Sequence, residues 1–305
     1  MSTSTYRREH RNLIAALLFL SPNFLGFLVF VAFPVAFSFI MSFTNWTPKP
    51  AVSLEWVGLR NYMEILRDQD FWYYFYNTAY LMLGIPISIA GSLFLAIVLS
   101  QKLRGVVFFR TLFYLPQFTA GVALFILWKT LYNKDFGLIN SAIDRVTTWI
   151  GYAEFPLPDW LGSVTWAKPA IMIMGIWGAI GGTNMLLYLA GLTNIPQELY
   201  EAADIDGAGV WSKFRHVTWP QLAPTTFFIV VMSTIGGLQG GFEQARVMTN
   251  GGPGGSTTTL SYYIYTKGFQ QLEFGYAASI AWVLFVMIFT LTLLNWRFGN
   301  RYVNY

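Results

Sequence analysis

"YRREHRNLIAALLFLSPNFLGFLVFVAFPVAFSF", residues 6–39, decides what kind of chain this is. Arg7, Arg8 and Arg11 precede an apolar run from about Leu13 to Phe43. A secretory signal core holds roughly 7–15 apolar residues. This run is far longer, and no small-x-small cleavage site follows it. The reading is a retained first membrane span, entered through a short interfacial helix that ends near Pro22.

The rest of the 305 residues agrees with that start: 55% are hydrophobic and 11% charged, with a mean hydropathy of +0.47. A soluble domain carries about 25% charged residues. Six apolar blocks lie near 13–43, 72–100, 107–131, 165–193, 221–245 and 275–297. Each exceeds the ~20 residues that a helix needs to cross the hydrocarbon. The runs are continuous rather than alternating, which selects helices over a barrel. The expectation is an all-α integral membrane protein of six transmembrane helices, folded as one domain over 1–305.

Basic residues set the orientation. With the N-terminus inside, the short inner segments hold Arg7, Arg8, Arg11, Lys102, Arg104, Arg110, Lys213, Arg215, Arg297 and Arg301. The longer outer segments, 44–71, 132–164 and 246–274, carry most of the acids: Glu55, Glu64, Asp68, Asp70, Asp135, Asp144, Glu154, Asp159 and Glu273. The density contrast favours N-in, C-in. Tryptophans such as Trp46, Trp72, Trp128, Trp166, Trp219 and Trp296 cluster near the expected span ends, as interfacial belts do. The net charge of +4 reads as topology marking, not as a nucleic-acid surface.

Between spans four and five lies a polar loop, 194–220, expected on the inner side. Its stretch 201–220 reads "EAADIDGAGVWSKFRHVTWP". Pro196 starts a helix, and Glu198, Glu201 and Asp204 lie in or near its first turns, where acids are favourable. Leu199, Ala202 and Ala203 fall at helical spacing. Gly207 and Gly209 permit a tight turn. Val210, Phe214 and Val217 line one face of a second short helix, and Pro220 resets the chain. On spacing alone, this knob either docks on a partner or lies on the bilayer as an amphipathic loop.

These residues carry a resemblance. Glu201-Ala202-Ala203, three residues, Gly207, nine residues, then Val217-Thr218-Trp219-Pro220 resembles the cytoplasmic "EAA" loop of permease subunits in ABC importers. That pattern closes on Ile-x-Leu-Pro; here valine and tryptophan replace isoleucine and leucine. "GLTNIPQELY" (191–200), Asp206-Gly207 and "TNGGPGGSTTTLSYYIY" (249–265) are similar to the carbohydrate branch, the maltose-type and glycerol-phosphate-type permeases. The resemblance implies a loop that docks in a cleft of an ATPase, with Glu201 paired to a basic residue there. Ala202 and Ala203 would let the helix sit deep, and Gly207 would allow the bend. It implies four kinds of neighbour: a second homologous permease, an ATPase dimer holding ATP and Mg, an extracytoplasmic sugar-binding protein, and membrane lipid. The location implied is the inner membrane of a bacterial or archaeal cell.

The chain holds no Walker A pattern, since no lysine follows a glycine. G-x-S-x-G and H-E-x-x-H are missing too, cysteine is absent, and His10 and His216 stand apart. No catalytic residue, cofactor or metal site is expected, so ATP hydrolysis falls to a separate partner. The alternative is an ion-coupled secondary transporter acting without an ATPase. Such carriers place ionisable groups at mid-membrane, whereas these span interiors are nearly free of them. Lys129 and Lys168 can snorkel from span ends.

For a solute path, Trp177, Asn184 and Tyr188 are spaced by seven and four, roughly one helix face. The resembling permeases place contacts there. Gln239 and Glu243, four apart in "STIGGLQGGFEQARVMTNGGP" (233–253), are the further candidates, with Arg246 as a partner for Glu243. Gly236, Gly237, Gly240 and Gly241 form two overlapping G-x-x-x-G pairs that suit close helix packing. Asn77 and Gln117 serve equally as path residues or as interhelical glue. "TNGGPGGSTT" reads as a structural outer turn.

Overall fold

The structure is a computed structural model that describes residues 3–49, 52–101, 104–119, 121–152 and 155–299. Among the described residues there is no β-strand, only the isolated bridge between Thr44 and Trp56. The helices in chain order are α1 (Thr3–Phe27), α2 (Phe33–Met41), α3 (Arg60–Arg67), α4 (Gln69–Met82), α5 (Gly84–Ser100), α6 (Val106–Tyr114), α7 (Gly121–Leu131), α8 (Leu138–Trp149), α9 (Val164–Ile180), α10 (Thr183–Thr193), α11 (Gln197–Ile205), α12 (Val210–Lys213), α13 (Trp219–Gln221), α14 (Ala223–Gln239), α15 (Phe242–Gln244), α16 (Leu260–Tyr265) and α17 (Phe274–Gly299).

Four helical stretches are long and apolar enough to cross a membrane: Ala15–Met41, Gln69–Ser100, Val164–Thr193 and Phe274–Arg297. Two bent pairs raise the number to six if each is one span. They are Val106–Phe118 with Gly121–Leu131, and Val210–Gln221 with Ala223–Gln239, the latter bent by 64°. Of the charges used for orientation, Lys102, Glu154 and Arg301 lie outside the described residues.

The chain divides into two compact units. The first comprises residues 1–67 and 266–282. Its α1 does not stop at Pro22, contrary to the expected short interfacial helix. Proline lacks the N–H that would bond the Leu18 carbonyl. Ser21 Oγ donates to that carbonyl instead, at 2.9 Å, so the helix carries on. None of the apolar window in Ala15–Met41 is buried within the chain. The loop that follows is tightly pinned. Asn61 donates both amide hydrogens, to the Ser42 and Thr44 carbonyls, at 2.9 Å each. Gly275 N donates to the Trp46 carbonyl at 3.0 Å.

The second unit comprises residues 68–265 and 283–305. Lipid tails are as apolar as leucine, so packing here depends on close contact and small residues rather than on escape from water. A Cβ on Gly84 would meet Ile176 and Met172 side chains at 3.1 Å, and one on Gly91 would meet Ile180 at 2.7 Å. These two glycines, seven apart, let α5 lie close on α9. Ser92 Oγ then reaches the Ala179 carbonyl at 3.2 Å. One core joins Leu93, Ala96 and Leu99 of α5 to Met185, Tyr188 and Leu189 of α10 and Ile229 of α14. A second gathers Phe125, Trp128, Tyr132, Trp160, Ile171, Met174 and Met248. Asp68 caps α4 by accepting from Asp70 N at 2.9 Å, and Ser163 Oγ caps α9.

Candidate functional site

The polar loop folds as two short helices around a glycine turn. Pro196 is the residue before α11, not its first, with an extended ψ of 130°. Gly207 takes φ +72°, a left-handed conformation that side chains resist. Asp204 of α11 pairs with Lys213 of α12 across the turn, which ties the helices together. Tyr200 Oη and Thr218 Oγ1, 2.9 Å apart, close the base. Tyr200, Phe214 and Val217 pack onto the core made by α5, α10 and Leu222.

The expected shared face of Val210, Phe214 and Val217 breaks up. Val210 is 87% exposed, because α12 lasts only to Lys213 and a π turn over Phe214–Thr218 then shifts the helical phase. Val210, Ile205 and Trp211 instead form a bare apolar tip. Glu201, Ala202 and Asp206 are exposed beside it and Ala203 is half-buried. The loop is therefore anchored at one end and uncovered at the other. Pro220 sits in α13, next to the 64° bend into α14.

A cavity of about 360 Å³ opens between α4, α5, α9, α10 and α14, within the 300–1,000 Å³ range of small-ligand sites. Its polar lining comes from Thr78, Ser88, Asn184, Ser233, Gln244 and Thr259. Gly236 lines it with open space where a Cβ would stand, whereas a Cβ on Gly237 would meet Ile85 Cδ1 at 2.9 Å. One glycine of the motif thus opens space and its neighbour closes a helix contact.

The path candidates do not share one face. Gly181 and Gly182 interrupt the helix between Trp177 and Asn184, so helical phase is not carried across. Asn184 reaches the cavity. Tyr188 is fully buried in the core and donates to Thr226 Oγ1 at 3.2 Å. Trp177, 44% exposed, packs edge-on against Trp128. Likewise Gly240 and Gly241 end α14 at Gln239, with Gly241 at φ +86°. Gln239 and Glu243 are exposed, and Gln244 lines the cavity in their place. Glu243 and Arg246 make no ion pair among the described residues; Arg246 lies over the Tyr265 ring at 4.9 Å.

Thr259 joins the cavity lining to the turn 250–260. Ser256, Thr257, Thr258 and Thr259 are buried, and Gly255 at φ +74° lets Tyr74 approach to 3.0 Å from where a Cβ would stand. Asn77, fully buried, donates to the Gly255 carbonyl at 2.9 Å and to the Thr258 carbonyl at 3.0 Å. Thr78 Oγ1 accepts from Leu260 N at 3.0 Å. Lys168 does not simply snorkel. Its Nζ donates to Asn77 Oδ1 at 3.2 Å and stands over the rings of Tyr73, Tyr76 and Tyr80. Small hydroxyl residues such as Ser88 and Ser233 look like ordinary packing residues in an apolar run, so no local signal marked them as cavity lining.

Residues 88–301 match the family of binding-protein-dependent transport system inner membrane components. The chain belongs to that family. It is a permease subunit of an ABC transporter and a multi-pass protein of the cell membrane. It is 33% identical to the probable ABC transporter permease protein YesP of Bacillus subtilis, over 98% of this chain and 94% of that one. It is 36% identical to the lactose transport system permease protein LacF of Rhizobium radiobacter, over 91% of each. The fold of the permease is also similar to a chain in the crystal structure of a bacterial alginate ABC transporter in complex with an alginate pentasaccharide-bound periplasmic protein. The TM-score is 0.81 at 23% identity, covering 97% of both chains.

Proposed function

We propose that this permease is the translocation subunit of an ATP-driven importer for a sugar, working by alternating access. It has six spans, N-in and C-in, in one transmembrane domain over 1–305, with loop 194–220 in the cytoplasm. A second homologous permease, an ATPase dimer that holds the nucleotide, and an extracytoplasmic binding protein complete the machine. The chain itself does no chemistry.

The observation that carries this reading is the loop: its base is packed into the α5–α10 core, while its acidic and apolar tip is bare. A body held this way transmits a push without bending. Asn184 of α10 and Ser233 of α14 line the cavity, and α10 and α14 flank the loop, so motion of the loop reaches the cavity walls. The relatives named for lactose and arabinooligosaccharide transport support the sugar class. The cavity's hydroxyl and carboxamide groups suit a polyhydroxylated solute.

The test is purification of the permease from its host followed by reconstitution. Co-purification of an ATPase and a second permease, with sugar uptake that follows ATP, is the expected result. Uptake by this chain alone, driven by an ion gradient, would establish the secondary-transporter reading instead.

A further inference from the structure

The polar cavity has a neighbour. A groove of about 1040 Å³ runs along α5 and α14, and apart from Thr226 and Thr234 its lining is apolar. Met82 and Ile85 line both spaces, so their side chains form the wall between them. What they close against is a glycine. A Cβ on Gly237 of α14 would stand 2.9 Å from Ile85 Cδ1 and 3.1 Å from Met82 Cγ, so the two side chains rest on backbone.

The two spaces follow the same order on both spans. On the span Gln69–Ser100, cavity residues run from Thr78 to Ser88 and groove residues from Met82 to Ile97. On α14, groove residues run from Thr226 to Thr234, and cavity residues begin at Ser233. By the proposed topology the first span descends and α14 ascends, so both orders put the cavity toward the outer side and the groove toward the inner side. The loop reaches the groove from within: Trp211, Phe214 and Trp219 line it.

The wall also stands at a weak point of its span. α4 ends at Met82 and α5 begins at Gly84. Pro86 has no N–H to donate to the Met82 carbonyl four residues back, and a proline is where helices bend. α14 carries Gly237 and follows the loop through the 64° bend. Displacing the loop therefore shifts Gly237 against Met82 and Ile85. Apolar side chains resting on a glycine part without breaking a hydrogen bond.

We infer that Met82 and Ile85, seated on Gly237, are the gate between the solute cavity and the inner side of this permease. Apolar constrictions close a pore by excluding water, and a solute held weakly beyond the constriction is free to leave. The inference rests on the alternating-access reading and names the side chains that move.

The chain lacks cysteine, so Ser233→Cys puts a single thiol on the cavity lining and Thr234→Cys puts one on the groove lining. The complete transporter is reconstituted with its inner face outward. Labelling by a small membrane-impermeant maleimide is timed with and without a non-hydrolysable ATP analogue. Thr234→Cys should label at rates within twofold in the two conditions. Ser233→Cys should label at least fivefold more slowly in one of them, where the gate is shut. Ile85→Ala should erase that difference, and the milder Ile85→Val should reduce it. Where Ile85→Ala also alters labelling of Thr234→Cys, Ile85→Val decides alone. Equal labelling of Ser233→Cys in both conditions, or protection that survives the Ile85 variants, overturns the gate. So does labelling of Thr234→Cys by a lipid-soluble maleimide only, which would set the groove against lipid. After any of these results, a permease that co-purifies with its ATPase keeps the importer reading. A chain that purifies alone loses that reading, and the gate's link to the loop with it.

Discussion

Asn77→Asp is nearly isosteric and leaves packing alone, yet it should loosen the turn 250–260. Asn77 donates to two buried carbonyls, those of Gly255 and Thr258. A carboxylate cannot donate to either, and a protonated acid restores only one. The Gly255 carbonyl keeps its bond from Thr258 N at 3.1 Å, so only the Thr258 carbonyl is orphaned, at a local cost of about 1–3 kcal/mol. Part of that is offset at the other oxygen, where Lys168 Nζ would meet an acid. At 1.36 kcal/mol per decade, even ~2 kcal/mol raises the open population roughly 30-fold. The assay is amide hydrogen exchange of the purified permease. The reporters are the amides of Thr257, Thr258 and Leu260, which bond Gly251 O, Gly255 O and Thr78 Oγ1. Lys168→Met is the control. It removes one bond to Asn77 Oδ1 but leaves both donors in place, so exchange at those amides should stay within about threefold of the parent. Equal protection in Asn77→Asp and the parent, or a larger loss in Lys168→Met, would refute the assignment of Asn77 as the clamp.

Glu201 is exposed and makes no ion pair among the described residues. Glu201→Lys should leave the permease folded while cutting uptake at least tenfold and leaving the partner ATPase turning over; uptake at the parent rate would remove its docking role. Asn184→Ala should raise the apparent KM for sugar with ATPase association intact, because its side chain lines the cavity; an unchanged KM would exclude it from the path. Tyr188 is fully buried, so Tyr188→Ala should lower thermal stability by roughly 3–5 kcal/mol, the range for deleting a buried aromatic side chain. Tyr188→Phe should lose only about 1 kcal/mol with its single bond to Thr226. If Tyr188→Phe abolishes uptake, the hydroxyl belongs to the path after all. Gly237→Val should disturb packing, since a Cβ there already meets Ile85 at 2.9 Å, whereas Gly236→Ala should fold normally and narrow the cavity. Similar stabilities for the two would contradict their different surroundings.

Much of this was legible in the residues because the signals are local. Apolar block length announces helices, and Gly207 with its flanking acids announces a turn between two short helices. What could not be read is phase across a break. Trp177 and Tyr188 looked like neighbours on one face until Gly181 and Gly182 interrupted the helix. Gln239 and Glu243 were separated in the same way by Gly240 and Gly241. Pro22 looked like a terminus, but Ser21 repairs the missing bond. Asn77 meets carbonyls some 180 positions away, a pairing that no spacing rule contains.

The central claim is that loop 194–220 faces the cytoplasm and is covered there by the ATPase. Ile205, at 87% exposure, is the place to ask, through an Ile205→Cys variant in this cysteine-free chain. An impermeant maleimide should label it in inside-out vesicles stripped of the ATPase, spare it in right-side-out vesicles, and lose access when the ATPase is added back. Labelling from the outer face, or labelling unchanged by the bound ATPase, would contradict the account.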